Sequence, residues 1–279
     1  MTVRDQIEAH SADFTATERR LSTTLLLDYP FAGLEPIQAL AERAQTSAPS
    51  ISRFVAKIGF QSFQDFQRHL IDELKQIQTS PVERKSMSKP MHGAYMASFL
   101  DRVSGILEES TQSISEAQFD RICQMLSDTK RSLYFIGGRM SDTLMQYMSR
   151  HLRQIRQKVY HLPSDPEMWP EYLLRMRAKD ILVIADFRRY QSNLTHLARK
   201  AAEERKAHVV LITDRWMSPV SRNASEILAI PINTDTLWDS YSGAFAVIEA
   251  TLTNIADSHW ETTKQRIEHW DSMRLDFGE

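Results

Sequence analysis

The apolar pattern of the chain changes period once, and that change dictates two domains of different class. Up to about residue 75 apolar residues recur at helical spacing. Beyond about residue 93, short apolar runs alternate with helical stretches. Runs at 133–136, 159–162, 181–185, 209–213 and 227–232 predict five strands, with helices between them and a long helix starting near Ser240. Such alternation predicts a mostly parallel five-stranded sheet covered on both faces, a Rossmann-type layering. Helices near 94–109 and 115–127 precede the first strand and are expected to pack across one side of the sheet. Between the two patterns, QIQTSPVERKSMSKPMHG loses apolar periodicity and gathers Ser, Pro, Lys and Gly. The expected organisation is an all-α domain over 1–78, a linker over 79–93 and an α/β domain over 94–279.

Within the helical part, IQALAERAQTSAPSISRFVAKI (37–58) reads as two short amphipathic helices joined by a tight turn. That shape lays its second helix in the major groove of DNA. Ile51, Val55 and Ile58 share one face of this helix, while Ser50, Arg53 and Lys57 project on other sides. Ser47 is placed to cap the first turn, Pro49 needs no intrahelical N–H bond there, and Gly59 suits the left-handed residue that stops the helix. Ile37, Leu40, Ala41 and Ala44 point inward from the first helix. A third helix is expected from Ser62, with Phe63, Phe66, Leu70 and Leu74 at core spacing. Ordinary helical bundles show the same pattern with a merely solvated polar face, so spacing alone leaves both readings open. On the DNA reading, Ser47, Pro49, Ser50, Ser52, Arg53 and Lys57 lie near the duplex.

Charge gives no bulk attraction to nucleic acid. The formal net charge is −2, and residues 1–79 hold eight Lys or Arg against ten Asp or Glu. Any basic patch must come from arrangement, with Arg43, Arg53, Lys57 and Arg68 as its candidates. So few contacts imply a homodimer or homotetramer, which multiplies them. The single cysteine, Cys123, excludes an intrachain disulfide and reads as a small core residue of a protein from a reducing compartment. The N-terminus carries charges where a signal peptide needs an apolar stretch, and no apolar run reaches membrane-spanning length, so a cytoplasmic protein is expected. The nine histidines lack metal-ligand spacing, and Gly137-Gly138 is too short for a dinucleotide fingerprint. No metal or cofactor is expected.

LAERAQTSAPSISRFVAKIGFQSFQDFQRHL resembles the N-terminal domain of the RpiR family of bacterial transcriptional regulators: an LA helix, an S-x-x-x-x-R-F recognition helix, then a GF-x-x-F-x-x-F helix. Phe14-Thr15-Ala16-Thr17-Glu18 resembles the family's opening helix cap. The second domain resembles the sugar isomerase (SIS) domain that follows in these regulators, through LYFIGGRMSD, Asp180 opening DILVIADF, and LITDRWMSPVSRNASEILAIP. The resemblance covers most of the chain. It implies a regulator that binds double-stranded operator DNA and whose SIS-like domain senses a small anionic metabolite, a sugar phosphate or another anion.

The chain departs from the family pattern where the ligand would sit. The usual S-x-S-G-x-T loop, whose hydroxyls and N–H groups cradle a phosphate, reads Asp186-Phe187-Arg188-Arg189-Tyr190-Gln191. The usual G-x-G-x-S reads Gly137-Gly138-Arg139-Met140-Ser141. Candidate effector-binding residues are Gly137, Arg139, Ser141, Asp186, Arg188, Arg189, Gln191 and Ser218. Two readings stay open. In one, Arg139, Arg188 and Arg189 form a forked donor cluster for an anion, with Tyr190 and Trp216 as an apolar wall. In the other, the arginines bridge subunits and the domain only oligomerises. An isomerase-like enzyme is the further alternative, with Glu249 or His196 as its base.

Overall fold

A computed structural model of the protein describes residues 2–78 and 80–274, with the side chains of all of these except 76–78 and 87. Thr79, the first residue of the expected linker, and residues 275–279 of the expected second domain lie outside the described residues. The chain divides into two compact units, Met1–Ser80 and Pro81–Glu279.

The first unit is helical: α1 (Val3–Ala9), α2 (Ala16–Leu27), α3 (Ile37–Arg43), α4 (Ala48–Lys57) and α5 (Phe63–Gln78). Thr2 with Asp5, and Thr15 with Glu18, form capping boxes that start α1 and α2. The turn between α3 and α4 begins at Gln45, in the left-handed region at φ 49°; its N–H bonds Glu42 O and that of Thr46 bonds Ala41 O. α4 closes in the same way on Gly59 at φ 100°, with Gly59 N–H to Ala56 O and Phe60 N–H to Val55 O. Both ends are Schellman motifs, which satisfy the carbonyls a helix end would otherwise strand. The apolar faces meet in one core containing Leu21, Leu25, Leu40, Ile51, Phe54, Val55, Ile58, Phe66 and Leu70. Ile37 and Phe63 are half-buried against it.

The second unit begins with a short helix, α6 (Pro81–Met87), inside the segment expected as a linker. Seven residues, four of them polar, are too few to show apolar periodicity, and the helix is held by the buried Arg84, which bonds Asp239, Asn233 Oδ1 and the Thr236 carbonyl. α7 (Tyr95–Ser113) and α8 (Glu116–Ser127) follow; Cys123 on α8 is buried. Then come β1 (Leu133–Gly137), α9 (Asp142–Ile155), β2 (Val159–His161), α10 (Trp169–Arg175), β3 (Ile181–Ala185), α11 (Ser192–Glu203), β4 (His208–Thr213), β5 (Glu226–Ala229), α12 (Ser242–Ser258) and α13 (Trp260–Ser272). The sheet is parallel throughout, in the order β2-β1-β3-β4-β5, with Leu133 opposite both Val159 and Ile181.

β3 is buried along its whole length, which explains its uninterrupted apolar run. Tyr134, Ile136, Leu182, Ile184, Val209 and Leu211 pack with Leu194, Leu197 and Ala198 of α11, while α9 packs against β1, β2 and β3. β5 is shorter than the expected 227–232: Ile230 N–H still bonds Thr213 O, but Pro231 has no N–H to continue the ladder. α7 and α8 pack chiefly on α12.

Phe54 has no exposed surface and lies 5.1 Å, ring to ring, from Phe14. Phe54→Ala is expected to destabilise the first unit by about 3–5 kcal/mol, read as an earlier urea transition.

Candidate DNA-reading face and effector site

The sealed face of α4 fixes which residues look outward. Ile51, Phe54, Val55 and Ile58 are buried, and Ser47, Pro49, Ser52, Arg53 and Lys57 are exposed, with Ser50 half-buried. Ser47 occupies the N-cap position but makes no side-chain cap bond, contrary to expectation; its hydroxyl lies 3.0 Å from that of Ser50. Ser50 Oγ also accepts from Arg53 Nη2 at 3.1 Å, so Arg53 is steadied on its own helix with its other donors outward.

Two expected basic contacts are engaged inside the unit. Lys57 Nζ donates to Glu18 (2.9 Å) and to the Asp13 carbonyl (2.7 Å), and Arg43 bridges Asp28 and Glu35. Sequence reasoning missed Arg20, exposed beside the α3–α4 turn with Nη2 3.5 Å from Gln45 O.

In the second unit, β1 continues to β2 on one side and to β3 on the other, so its carboxyl end is the point where the strand order reverses. Sheets of this kind bind ligands in that crevice. Here the crevice is stitched by the protein's own groups. Ser141 Oγ donates to the Ala185 carbonyl (2.6 Å) and accepts from Gly138 N–H (3.0 Å). Asp142 accepts from Gly137 N–H, Gln146 and His161, whose Nε2 is 2.9 Å away. Burial pushes the Asp142 carboxyl up, but these hydrogen bonds outweigh it and hold it below its ordinary value. A Cβ on Gly137 would stand 2.5 Å from Asp142 N, so the turn admits only glycine there.

Two buried carboxylates hold the next loops. Asp186 accepts from the Ser218 hydroxyl and from Gln191 N–H. Asp214, with no exposed surface, accepts from Arg188 N–H (2.6 Å), Tyr190 Oη (2.6 Å) and Trp216 N–H (3.0 Å). Two backbone donors of the 186–191 loop are thus turned onto internal carboxylates. Burial drives Asp186 up to about 7 and Asp214 up to about 6, against the hydrogen bonds that stabilise their charge.

Of the expected effector residues, Gly137, Ser141, Asp186, Gln191 and Ser218 come together around these bonds, and a Cβ on Gly138 would fall within 4 Å of Ser141, Asp186 and Gln191. The expected arginine fork does not form. Arg139 and Arg189 are exposed and make no ion pair with the described residues, and Arg189 sits at φ 69°. Arg188 is turned inward: its side chain is 7 % exposed, stacks over Trp216 with Cζ 4.2 Å from the ring centroid, and reaches Asp239 at 3.0 Å. Burial lowers its pKa, opposed by the Asp239 charge. Asp239 Oδ1 also receives Arg84 of α6, so one carboxylate joins two guanidiniums. Among the described residues, no group of three or more His, Cys, Asp or Glu is placed to hold a metal ion, and no helix is long and apolar enough to cross a membrane.

A helical DNA-reading unit followed by an α/β unit on a five-stranded parallel sheet defines a two-domain DNA-binding transcriptional regulator. Residues 1–77 match the rpiR-family helix-turn-helix domain and residues 125–254 match the SIS domain, and the chain belongs to the RpiR-type transcriptional regulators. It is 22% identical to the HTH-type transcriptional regulator HexR of Escherichia coli over 236 residues, 85% of this chain and 80% of that one. Its fold is similar to that of the Vibrio vulnificus NanR protein complexed with ManNAc-6P, at a TM-score of 0.55 and 18% identity over 97% of each chain. The sugar isomerase domain of an RpiR transcription factor from Sphaerobacter thermophilus also matches, at a TM-score of 0.59 and 16% identity, over 64% of this chain and 98% of that one.

The raised Asp186 carboxyl has a stability signature. Between about pH 4, where an unfolded Asp titrates, and about pH 7, the folded state holds a proton that the unfolded state lacks. Unfolding free energy therefore falls as pH rises through that window and levels above it. Asp186→Asn, which keeps one acceptor oxygen and cannot titrate, is expected to flatten this fall in denaturant titrations at several pH values; parallel profiles would contradict it.

Proposed function

We propose that the first unit reads operator DNA through α4 and that the second unit governs this binding by taking up a small anionic effector. The observation that carries the reading is the sealed core of the first unit: with Ile51, Phe54, Val55 and Ile58 inside, Ser52 and Arg53 stand exposed on the opposite side of α4 and bond only within that helix. Arg53 carries the main contact, to a base edge or a phosphate. Ser47, Pro49, Ser50 and Ser52 line the approach, and Lys57, tied to Glu18, contributes less. That NanR is complexed with ManNAc-6P supports an anionic metabolite as effector in this chain too.

Control requires the effector to bind two arrangements of the protein unequally. Arg84 supports a route, since it lies on the helix that opens directly after the first unit and bonds the carboxylate that also holds Arg188 of the loop after β3. The protein acts as a homodimer or homotetramer in the cytoplasm. Met96, Leu100 and Leu107, exposed at helical spacing on α7, support self-association through the second unit. It acts without catalysis: Glu249 is exposed and bonded to Tyr147, and His196 is exposed on α11.

Arg53→Ala is expected to weaken operator binding by about 1–3 kcal/mol, roughly 5- to 150-fold, with an unchanged circular dichroism spectrum. Lys57→Ala is expected to cost less affinity. Unchanged gel-shift affinity for Arg53→Ala would remove Arg53 from the interface.

A further inference from the structure

Apart from the crevice between β1 and β3, the second unit holds a cavity of about 770 Å³ between residues 85–99, which run from the end of α6 into α7, and the 234–241 connection that follows β5. Its walls carry four aromatic side chains, Tyr95, Phe99, Trp238 and Tyr241, together with Lys85 and Lys89. Trp238 and Tyr95 are 64% and 70% exposed, large apolar faces that no protein group covers.

The charge around this cavity is unbalanced toward the positive. Its two wall carboxylates are already shared: Asp235 pairs with Lys89, and Asp239 pairs with both Arg84 and Arg188. Arg102 closes the rim from behind, donating to the carbonyls of Thr234 and Asp235 on one wall and of Lys89 and Pro90 on the other. Five cations therefore stand around two carboxylates, with Lys85 on the wall. Behind Asp239, Nε and Nη2 of Arg188 are buried without a hydrogen-bond acceptor, and Nη2 forms an ion pair with Asp239 at 3.0 Å, so this guanidinium adds to the positive field without lining the cavity.

We propose that this cavity, rather than the loop after β3, is the effector site, and that its ligand is a small ring-bearing anion. The ring stacks on Trp238 and Tyr95, and the anionic oxygens meet Lys85 and Lys89 on the field of the arginines behind them. The loop after β3 is disfavoured as the anchor because Arg188 N–H and Gln191 N–H are spent on Asp214 and Asp186. This inference rests on the reading of the second unit as a ligand-sensing domain and names where and what it senses.

The test is isothermal titration of the full chain, without DNA, with phenyl phosphate and with benzoate, so that the phosphate and carboxylate forms of the anion are separate arms. Inorganic phosphate is the ring-free control. The expected result is saturable binding of at least one ring anion, weaker binding of inorganic phosphate, and at least a tenfold loss of affinity in both the Lys85→Ala/Lys89→Ala double variant and Trp238→Ala. All three side chains are exposed, so these variants keep the fold. Absence of saturable binding by both ring anions overturns the proposal. So does a heat that survives in both cavity variants and disappears in Arg189→Ala, which would return the ligand to the loop after β3 and leave the sensing role intact.

Discussion

The carboxyl edge of the sheet depends on Asp214. A charge with no exposed surface persists only when surrounded by donors, and this one gathers the N–H groups of Arg188 and Trp216 and the Tyr190 hydroxyl. It thereby ties the loop after β3 to the loop after β4. Asp186, bonded to Ser218 and Gln191, makes a second tie between the same loops. Where the family pattern has hydroxyls and glycine arranged around a phosphate, this chain supplies its own anions. The arginine that accompanies them, Arg188, is drawn inward by Trp216 and Asp239 rather than offered to solvent.

The same economy of charge marks the first unit. Its few cations are mostly committed: Lys57 to Glu18, Arg43 to Asp28 and Glu35. Arg53, like Arg20, makes no ion pair with the described residues; it is steadied by Ser50 and points away from a core closed by Phe54. Affinity for DNA then depends on placement and on repetition in an oligomer more than on bulk charge.

How much of this was legible in the sequence follows the range of each interaction. The strands were legible because buried parallel strands are continuous apolar runs, and the helix-turn-helix because Ile51, Val55 and Ile58 repeat at helical spacing with Gly59 as the stop. Arg84 was read as part of a solvated linker because its partner, Asp239, lies 155 residues away and leaves no local signal. Lys57 was read as a DNA contact for the same reason, its partner Glu18 being 39 residues upstream. The residue types at the strand ends were named correctly as unusual, but their direction was not legible: sequence shows three arginines, and only the fold shows one inward and two outward.

The most direct test of the account is fluorescence anisotropy of the purified chain with DNA from upstream of its own gene, against a scrambled duplex at two salt concentrations. The account predicts tighter binding to the upstream DNA, weakening as salt rises. Equal, weak binding to both duplexes at low salt would contradict it.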